Sequence, residues 1–117
     1  MDIKNKAQFI EYFSNGIKDI DQLKIGVEHE RFLFDCQNRK RISYPTLKKL
    51  FENLKSDGWE PLLEKENMIG MQRGNQQITT EPGLQCELSG APLENIHQVC
   101  SESSKFLKEI KGASKGL

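Results

Sequence analysis

With 117 residues, the chain has room for one domain with a hydrophobic core of ordinary size. Hydrophobic residues at 36% and charged residues at 29% give the balance of a soluble globular chain, not a disordered one. Lysine plus arginine equals aspartate plus glutamate, 17 each, and no basic run breaks the balance, so no overall field would draw nucleic acid or an anionic membrane. The first six residues lack an apolar segment and no stretch approaches ~18 apolar residues, so the expectation is a cytoplasmic protein with neither secretion signal nor membrane span. Cys36, Cys86 and Cys100 are odd in number and widely spaced, which fits neither a disulfide framework nor a CxxC metal clip, and they read as reduced thiols.

In chain order, residues 6–15 carry Phe9, Ile10 and Phe13, followed by Ile17, near one face of a short helix that Gly16 would stop. Residues 19–24 are polar and turn-like. The pattern then changes to β over residues 25–35. Alternation places Glu28, Glu30, Phe32 and Phe34 on one face and Val27, His29, Arg31 and Leu33 on the other. After a polar connection, Pro45 suits a first helical turn with Ser43 or Tyr44 at the cap. Leu47, Leu50, Phe51 and Leu54 then recur at three- and four-residue steps up to Gly58. Trp59 is expected to fold back over that end.

Three short strands are expected between residues 60 and 88. Residues 68–73 and 76–81 flank Gly74-Asn75, a two-residue hairpin loop with glycine first. Pro82-Gly83 then breaks or bulges the chain before alternation resumes, with Gln85, Glu87 and Ser89 facing one way and Leu84, Cys86 and Leu88 the other. A last helix is expected from Pro92 or Leu93, with Leu93, Ile96, Cys100, Leu107 and Ile110 as its apolar stripe and His97 packed on it. Cys86 and Cys100 read as small buried hydrophobes. Lys48-Lys49, Lys105 and Lys108 read as solvated helix faces.

The chemistry concentrates on the glutamates. Two glutamates two positions apart on a strand point the same way, with roughly 7 Å between their Cα atoms. If Glu87 and Glu81 face Glu28 and Glu30 from neighbouring strands, like charges crowd one patch and raise one another's pKa unless a cation neutralises them. Hard oxygen ligands select Mg²⁺ or Mn²⁺, and Mg²⁺ held by a few carboxylates keeps positions for substrate phosphates. A Mg²⁺–nucleotide site on a sheet face is one reading; a solvated acidic face is the other. Zinc at Glu28-His29-Glu30 is disfavoured, because His29 points away from its neighbours. No Walker, GxGxxG or GxSxG motif is present.

Four stretches in order carry a family resemblance: residues 25–32 (Ile-Gly-Val-Glu-His-Glu-Arg-Phe), residues 58–61 (Gly-Trp-Glu-Pro), residues 78–94 with their Glu-Pro-Gly and Glu-Leu-Ser-Gly-Ala-Pro motifs, and His97-Gln98 followed by Cys100. From about residue 6 onward the chain resembles the amino-terminal quarter of the plant and proteobacterial type of glutamate–cysteine ligase. The resemblance implies an α+β fold: a curved antiparallel sheet with flanking helices, a fragment of a glutamine-synthetase-like catalytic fold, with residues 1–117 as a single segment at the start of a longer catalytic domain. It implies that ATP phosphorylates the γ-carboxylate of glutamate and that the amine of cysteine then displaces phosphate, the first step of glutathione biosynthesis. Carried over, Glu28 and Glu30 would be metal ligands, and Glu81 and Glu87 would complete the metal and catalytic cluster, with Mg²⁺ or Mn²⁺ and ATP bound there.

The chain departs from the family pattern at Leu84, where a second glycine is usual, and at Cys86, where an aromatic is usual; both face away from Gln85 and Glu87. The arginines and lysines that contact nucleotide and substrate in the family lie mostly beyond this length, leaving Arg31, Arg39, Arg41 and Arg73. The expected partners are glutamate, cysteine and ATP, with no nucleic acid or membrane, and self-association through open sheet edges. A related ligase with another amine acceptor and a truncated, non-catalytic module are the competing readings.

Overall fold

The computed structural model describes residues 2–117. Helix α1 (Lys6–Ser14) is capped by Asn5, whose side chain accepts from the Gln8 amide, and a 3-10 turn at Ile20–Gln22 follows. Strand β1 (Glu28–Arg31) comes next, then helix α2 (Tyr44–Leu54) with Ser43 at its N-cap and Pro45 in its first turn. A short 3-10 extension, Lys55–Asp57, ends at Gly58, whose φ of 83° takes the chain out of the helix. Four strands follow, β2 (Glu60–Glu64), β3 (Asn67–Arg73), β4 (Gln76–Glu81) and β5 (Gln85–Ser89), and the chain closes with helix α3 (Ile96–Ala113).

The strands form one antiparallel sheet in the order β1-β5-β4-β3-β2. The open α+β sheet expected from the sequence is therefore present, with one strand more than alternation indicated between residues 60 and 88. The additional strand is β2, whose signal Pro61 obscures. Proline removes a ladder donor and is tolerated because β2 lies at the sheet edge. Gly74 supplies the positive φ of the two-residue loop between Arg73 and Gln76, as expected.

One face of the sheet is the core. Leu47, Leu50, Phe51 and Leu54 of α2 and Phe106 and Ala113 of α3 pack with Trp59, Met68, Met71, Ile78, Cys86 and Leu88 in one buried cluster. Strict alternation would send Met68 and Met71 to opposite faces, but a shift in pairing register between Leu62 and Leu63 lets both turn inward. Gly70 sits beside this irregularity, where a side chain would run into the Ile78 carbonyl.

The last helix departs from the expected stripe. It begins at Ile96, not at residue 92 or 93, because Asn95 accepts from the Gln98 amide as N-cap. The buried face falls on Val99, Phe106, Glu109 and Ala113, and of the expected stripe Ile110 packs partly against the core. Ile96, His97, Cys100 and Leu107 are exposed, so neither a packed His97 nor a buried Cys100 survives. Cys86 is buried as expected and all three thiols are free. Desolvation pushes the Cys86 thiol up to about 12, slightly countered by the charge of Arg31, so it is a packing residue and not a nucleophile at neutral pH.

Trp59 folds back as expected, and its partner is on α3. Its indole N–H donates to a carboxylate oxygen of Glu109 at 3.0 Å, and the Arg73 guanidinium donates to the other at 2.8 Å. Arg73 also lies 4.2 Å from the Trp59 ring centre. Helix α1, in contrast, buries no residue, and Phe9, Ile10, Tyr12 and Phe13 are all exposed. Among the described residues, no helix is long and apolar enough to cross a membrane.

The turn joining β4 to β5 carries the first departure from the expected family pattern. Gly83 has φ 78° and Leu84 has φ 59°, so a leucine occupies left-handed backbone where glycine is unstrained. Leu84 packs part of its side chain against the core in return. Leu84→Gly is expected to release about 1 kcal/mol of backbone strain while losing a similar amount of burial. Its denaturant midpoint should therefore stay within about 1 kcal/mol of wild type, whereas Leu84→Ala, which keeps the strain and loses the packing, should be clearly less stable.

Candidate active site: a glutamate-lined sheet face

The face of the sheet opposite the helices carries the glutamates. Pairing of β1 with β5 sets Glu30 directly across from Glu87 and Glu28 across from Ser89. Pairing of β5 with β4 sets Glu87 across from Thr79 and Gln85 across from Glu81. Because alternate residues of each strand (His29, Leu88 and Ile78) turn the other way, Glu28, Glu30, Glu81 and Glu87 share the face. Sequence order had put some fifty residues between the two pairs. The antiparallel register brings Glu30 and Glu87 within the roughly 5 Å Cα spacing of directly opposed residues.

Glu87 lies on the sheet's inner strand and is only 8% exposed, while Glu28 and Glu30 are open to solvent. The Ser89 hydroxyl donates to Glu87 Oε1 at 3.1 Å. Shared hydrogen bonding with Glu87 pushes the Glu30 carboxyl above the usual carboxylate range, and desolvation and the charges of Glu87, Glu81 and Glu28 add to the shift. None of the four glutamates forms an ion pair with a lysine, arginine or histidine among the described residues. The fold therefore concentrates negative charge without supplying a counter-ion from these residues.

That donor set has the chemistry of a hard divalent cation: oxygen atoms only, more than one carboxylate, and open solvent on one side. As the side chains stand, no three His, Cys, Asp or Glu residues among those described converge closely enough to enclose an ion. The residues fit Mg²⁺ in the manner of a site that shares its coordination sphere with water and phosphate oxygens, not that of a closed protein cage.

The arginines are distributed in a way the sequence did not reveal. Arg73 is held by Glu109 and by the Gln76 side chain on the helix side. Arg31 lies opposite Cys86, with a buried Nε that has no partner. Arg39 occupies the tip of the turn after β1 at φ 57°. Arg41 reaches the glutamate face: its guanidinium sits 4.0 Å from the Phe32 ring centre and donates to the Gly83 carbonyl. Arg41 is the polar group that one-dimensional reading did not connect to the acidic face, whereas Ser89 stands on it as alternation indicates. The signal for Ser89 was its place two residues after Glu87. Arg41 had none before the loop was folded.

An antiparallel open sheet with helices packed on one face and carboxylates gathered on the other defines an α+β protein with an acidic sheet-face site. Residues 24–117 match the family described as glutamate-cysteine ligase family 2, and the chain belongs to that family. It is 37% identical over 113 residues to the chloroplastic glutamate–cysteine ligase of Medicago truncatula, 36% to that of Arabidopsis thaliana and 36% to glutamate–cysteine ligase A, chloroplastic, of Oryza sativa subsp. japonica. Each alignment covers 96% of this chain but only 22% or 23% of the relative, so the chain spans about a fifth of the length of these relatives. Those plant proteins are chloroplastic by name, whereas the composition here had suggested the cytoplasm.

Proposed function

We propose that this chain provides the carboxylate wall of the Mg²⁺–ATP site in a ligase that joins the γ-carboxylate of L-glutamate to the amine of L-cysteine, the first step of glutathione biosynthesis. The observation that carries the reading is the in-register opposition of Glu30 and Glu87, flanked by Glu28 and Glu81, in a chain of the glutamate-cysteine ligase family. Glu28, Glu30, Glu81 and Glu87 would hold Mg²⁺ or Mn²⁺, which would offset charge on the nucleotide phosphates and on the phosphoryl group in transfer. Around it, the chain's own groups have distinct tasks. Glu87, largely shielded and oriented by the Ser89 hydroxyl, is the fixed member of the set. Glu30 and Glu28, free in solvent, adjust to the incoming ligand. ATP would transfer its γ-phosphate to the glutamate γ-carboxylate, and the cysteine amine would displace phosphate from that γ-glutamyl phosphate.

Residues 2–117 act in this reading as one α+β unit of a larger catalytic domain, supported by the match to about a fifth of the relatives' length. The outermost strands β1 and β2 leave edges through which the unit would pair with further chain or with a second copy. Three free thiols support a reducing compartment such as the cytoplasm.

The melting temperature of the protein expressed from the whole reading frame, taken with and without millimolar Mg²⁺ and ATP, tests the site. Saturation at about a hundredfold over Kd stabilises by about 2.7 kcal/mol, which raises the melting temperature by several degrees. An unchanged melting temperature in the wild type, or the same rise in Glu28→Gln/Glu30→Gln, would show that the glutamate face does not bind the metal–nucleotide.

A further inference from the structure

The glutamate face carries its own cation at one end, placed by local structure. The turn after β1 is closed by its own side chains. Asp35 Oδ1 accepts from the Gln37 and Asn38 amides at 2.7 and 3.0 Å, Asn38 Oδ1 accepts from the Lys40 amide at 2.8 Å, and the Asp35 amide donates to the Lys40 carbonyl at 2.9 Å. That closure pairs Phe34 with Arg41 in an antiparallel bridge, so the two side chains lie on the same side. By alternation from Glu28 and Glu30, Phe32 and Phe34 also belong to the glutamate face, and both are half exposed.

Arg41 lies over this aromatic pair, 4.0 Å from the Phe32 centre and 5.8 Å from the Phe34 centre, with one terminal nitrogen donating to the Gly83 carbonyl. No carboxylate among the described residues pairs with it. An exposed arginine ordinarily waves in solvent, at a cost in entropy to any ligand that must immobilise it. Here two rings and a carbonyl hold the plane of the guanidinium, and the rest of its donor fork is free for a bidentate acceptor. Phe32 lies just past the end of β1, two residues from Glu30 and about 7 Å along extended chain. An extended five-carbon dicarboxylic amino acid is of comparable length, long enough to reach from the arginine toward the acidic cluster.

We propose that Arg41, held by Phe32, Phe34 and the Gly83 carbonyl, is an anion subsite that takes the non-reacting carboxylate of the amino-acid substrate and so aims its other carboxylate at the Glu30–Glu87 pair. The inference rests on the ligase reading above and adds to it the residue that orients the substrate. It also gives the β4–β5 turn a role, because the Gly83 carbonyl that steadies Arg41 lies in the same turn that returns the chain from Glu81 to Glu87.

Glutamate and Mg²⁺–ATP affinities, measured by calorimetry together with steady-state kinetics on the protein expressed from the whole reading frame, test this. Arg41→Ala and Arg41→Gln, the latter retaining a donor for the Gly83 carbonyl, should each weaken glutamate binding by roughly tenfold to a hundredfold. The loss should fall on KM for glutamate rather than on kcat. Arg41→Lys should recover part of it, and Mg²⁺–ATP affinity should hold. Wild-type glutamate affinity in Arg41→Gln would overturn the subsite. So would a loss confined to Mg²⁺–ATP, which would assign the arginine to a phosphate, or a fall in melting temperature and kcat at unchanged glutamate affinity, which would make it only a clamp on the turn. A wild-type protein that does not bind glutamate overturns the subsite outright. Absence of glutamate- and cysteine-dependent ADP formation in the wild type overturns the ligase reading instead, and glutamate binding still judges Arg41.

Discussion

Glu87→Gln is expected to lower glutamate- and cysteine-dependent ADP formation by about a hundredfold or more, with the protein folded and its melting temperature in the absence of ligand equal to or above that of wild type. The two halves of this expectation come from the same geometry. Glu87 sits on an inner strand, nearly out of contact with solvent, opposite Glu30 and bonded to Ser89. It cannot swing away and be replaced by water as Glu28 could. Losing one carboxylate of a metal site removes several kcal/mol of charge stabilisation, and about 3 kcal/mol corresponds to about a hundredfold in rate. In the unliganded protein, however, the Glu87 carboxylate is a liability, because it forces Glu30 to titrate above the usual range. Removing it takes away both the shared hydrogen bond and the like charge that raise Glu30. A variant both inactive and strongly destabilised would indicate that Glu87 serves the fold, and one with wild-type turnover would remove it from the site. The ADP assay together with thermal melts at neutral pH reads both halves.

The second large effect concerns the opposite side of the sheet. Glu109 is 9% exposed and binds Trp59 and Arg73 at once, with Lys105 Nζ 3.7 Å away. Replacing one partner of a buried pair leaves the other desolvated and unpaired, so Glu109→Ala is expected to cost about 3 kcal/mol and lower the melting temperature by roughly 10 °C. Glu109→Gln, which keeps acceptor and donor atoms in place, should cost less. The pH dependence carries the signature. Burial pushes the Glu109 carboxyl up, but hydrogen bonds from Arg73 and Trp59 and the charges of Arg73 and Lys105 more than offset it, leaving the group below the usual range. A carboxyl depressed by folding contributes stability above its unfolded pKa of about 4.3 and loses that contribution as pH falls through the folded value. Wild type should therefore lose stability on acidification below about pH 4 more steeply than Glu109→Gln does. Parallel acid profiles for the two proteins would contradict the assignment.

These two sites differ in how far the sequence revealed them. The acidic face was legible because its signal is local: Glu28 and Glu30 at a two-residue step on one β segment, and Glu87 in phase with Gln85 and Ser89 on another, fix which side chains share a face, whatever the tertiary arrangement. Only the register of β1 against β5 was missing, and that is set by pairing over a long separation that no local pattern encodes. The Glu109–Arg73–Trp59 cluster was not legible. It depends on the rotation of α3, and the apolar residues Ile96, Cys100 and Leu107 pointed to a face that lies toward solvent. Arg73, counted with the arginines that could meet substrate, is consumed by that cluster. Strand β2 went unseen because proline in a strand reads as a break until the strand is known to be an edge. The apolar face of α1 was read correctly as a pattern, yet it has no partner within residues 2–117.

The paramagnetic effect of Mn²⁺ on the amide resonances of the isotopically labelled protein tests the central claim most directly. Substoichiometric Mn²⁺ with ATP should broaden the amides of residues 28–30, 79–81 and 85–89 first, leave α2 and α3 sharp, and lose this selectivity in Glu30→Gln/Glu87→Gln. Broadening centred elsewhere, or the same pattern in the double variant, would contradict a metal–nucleotide site on the glutamate face.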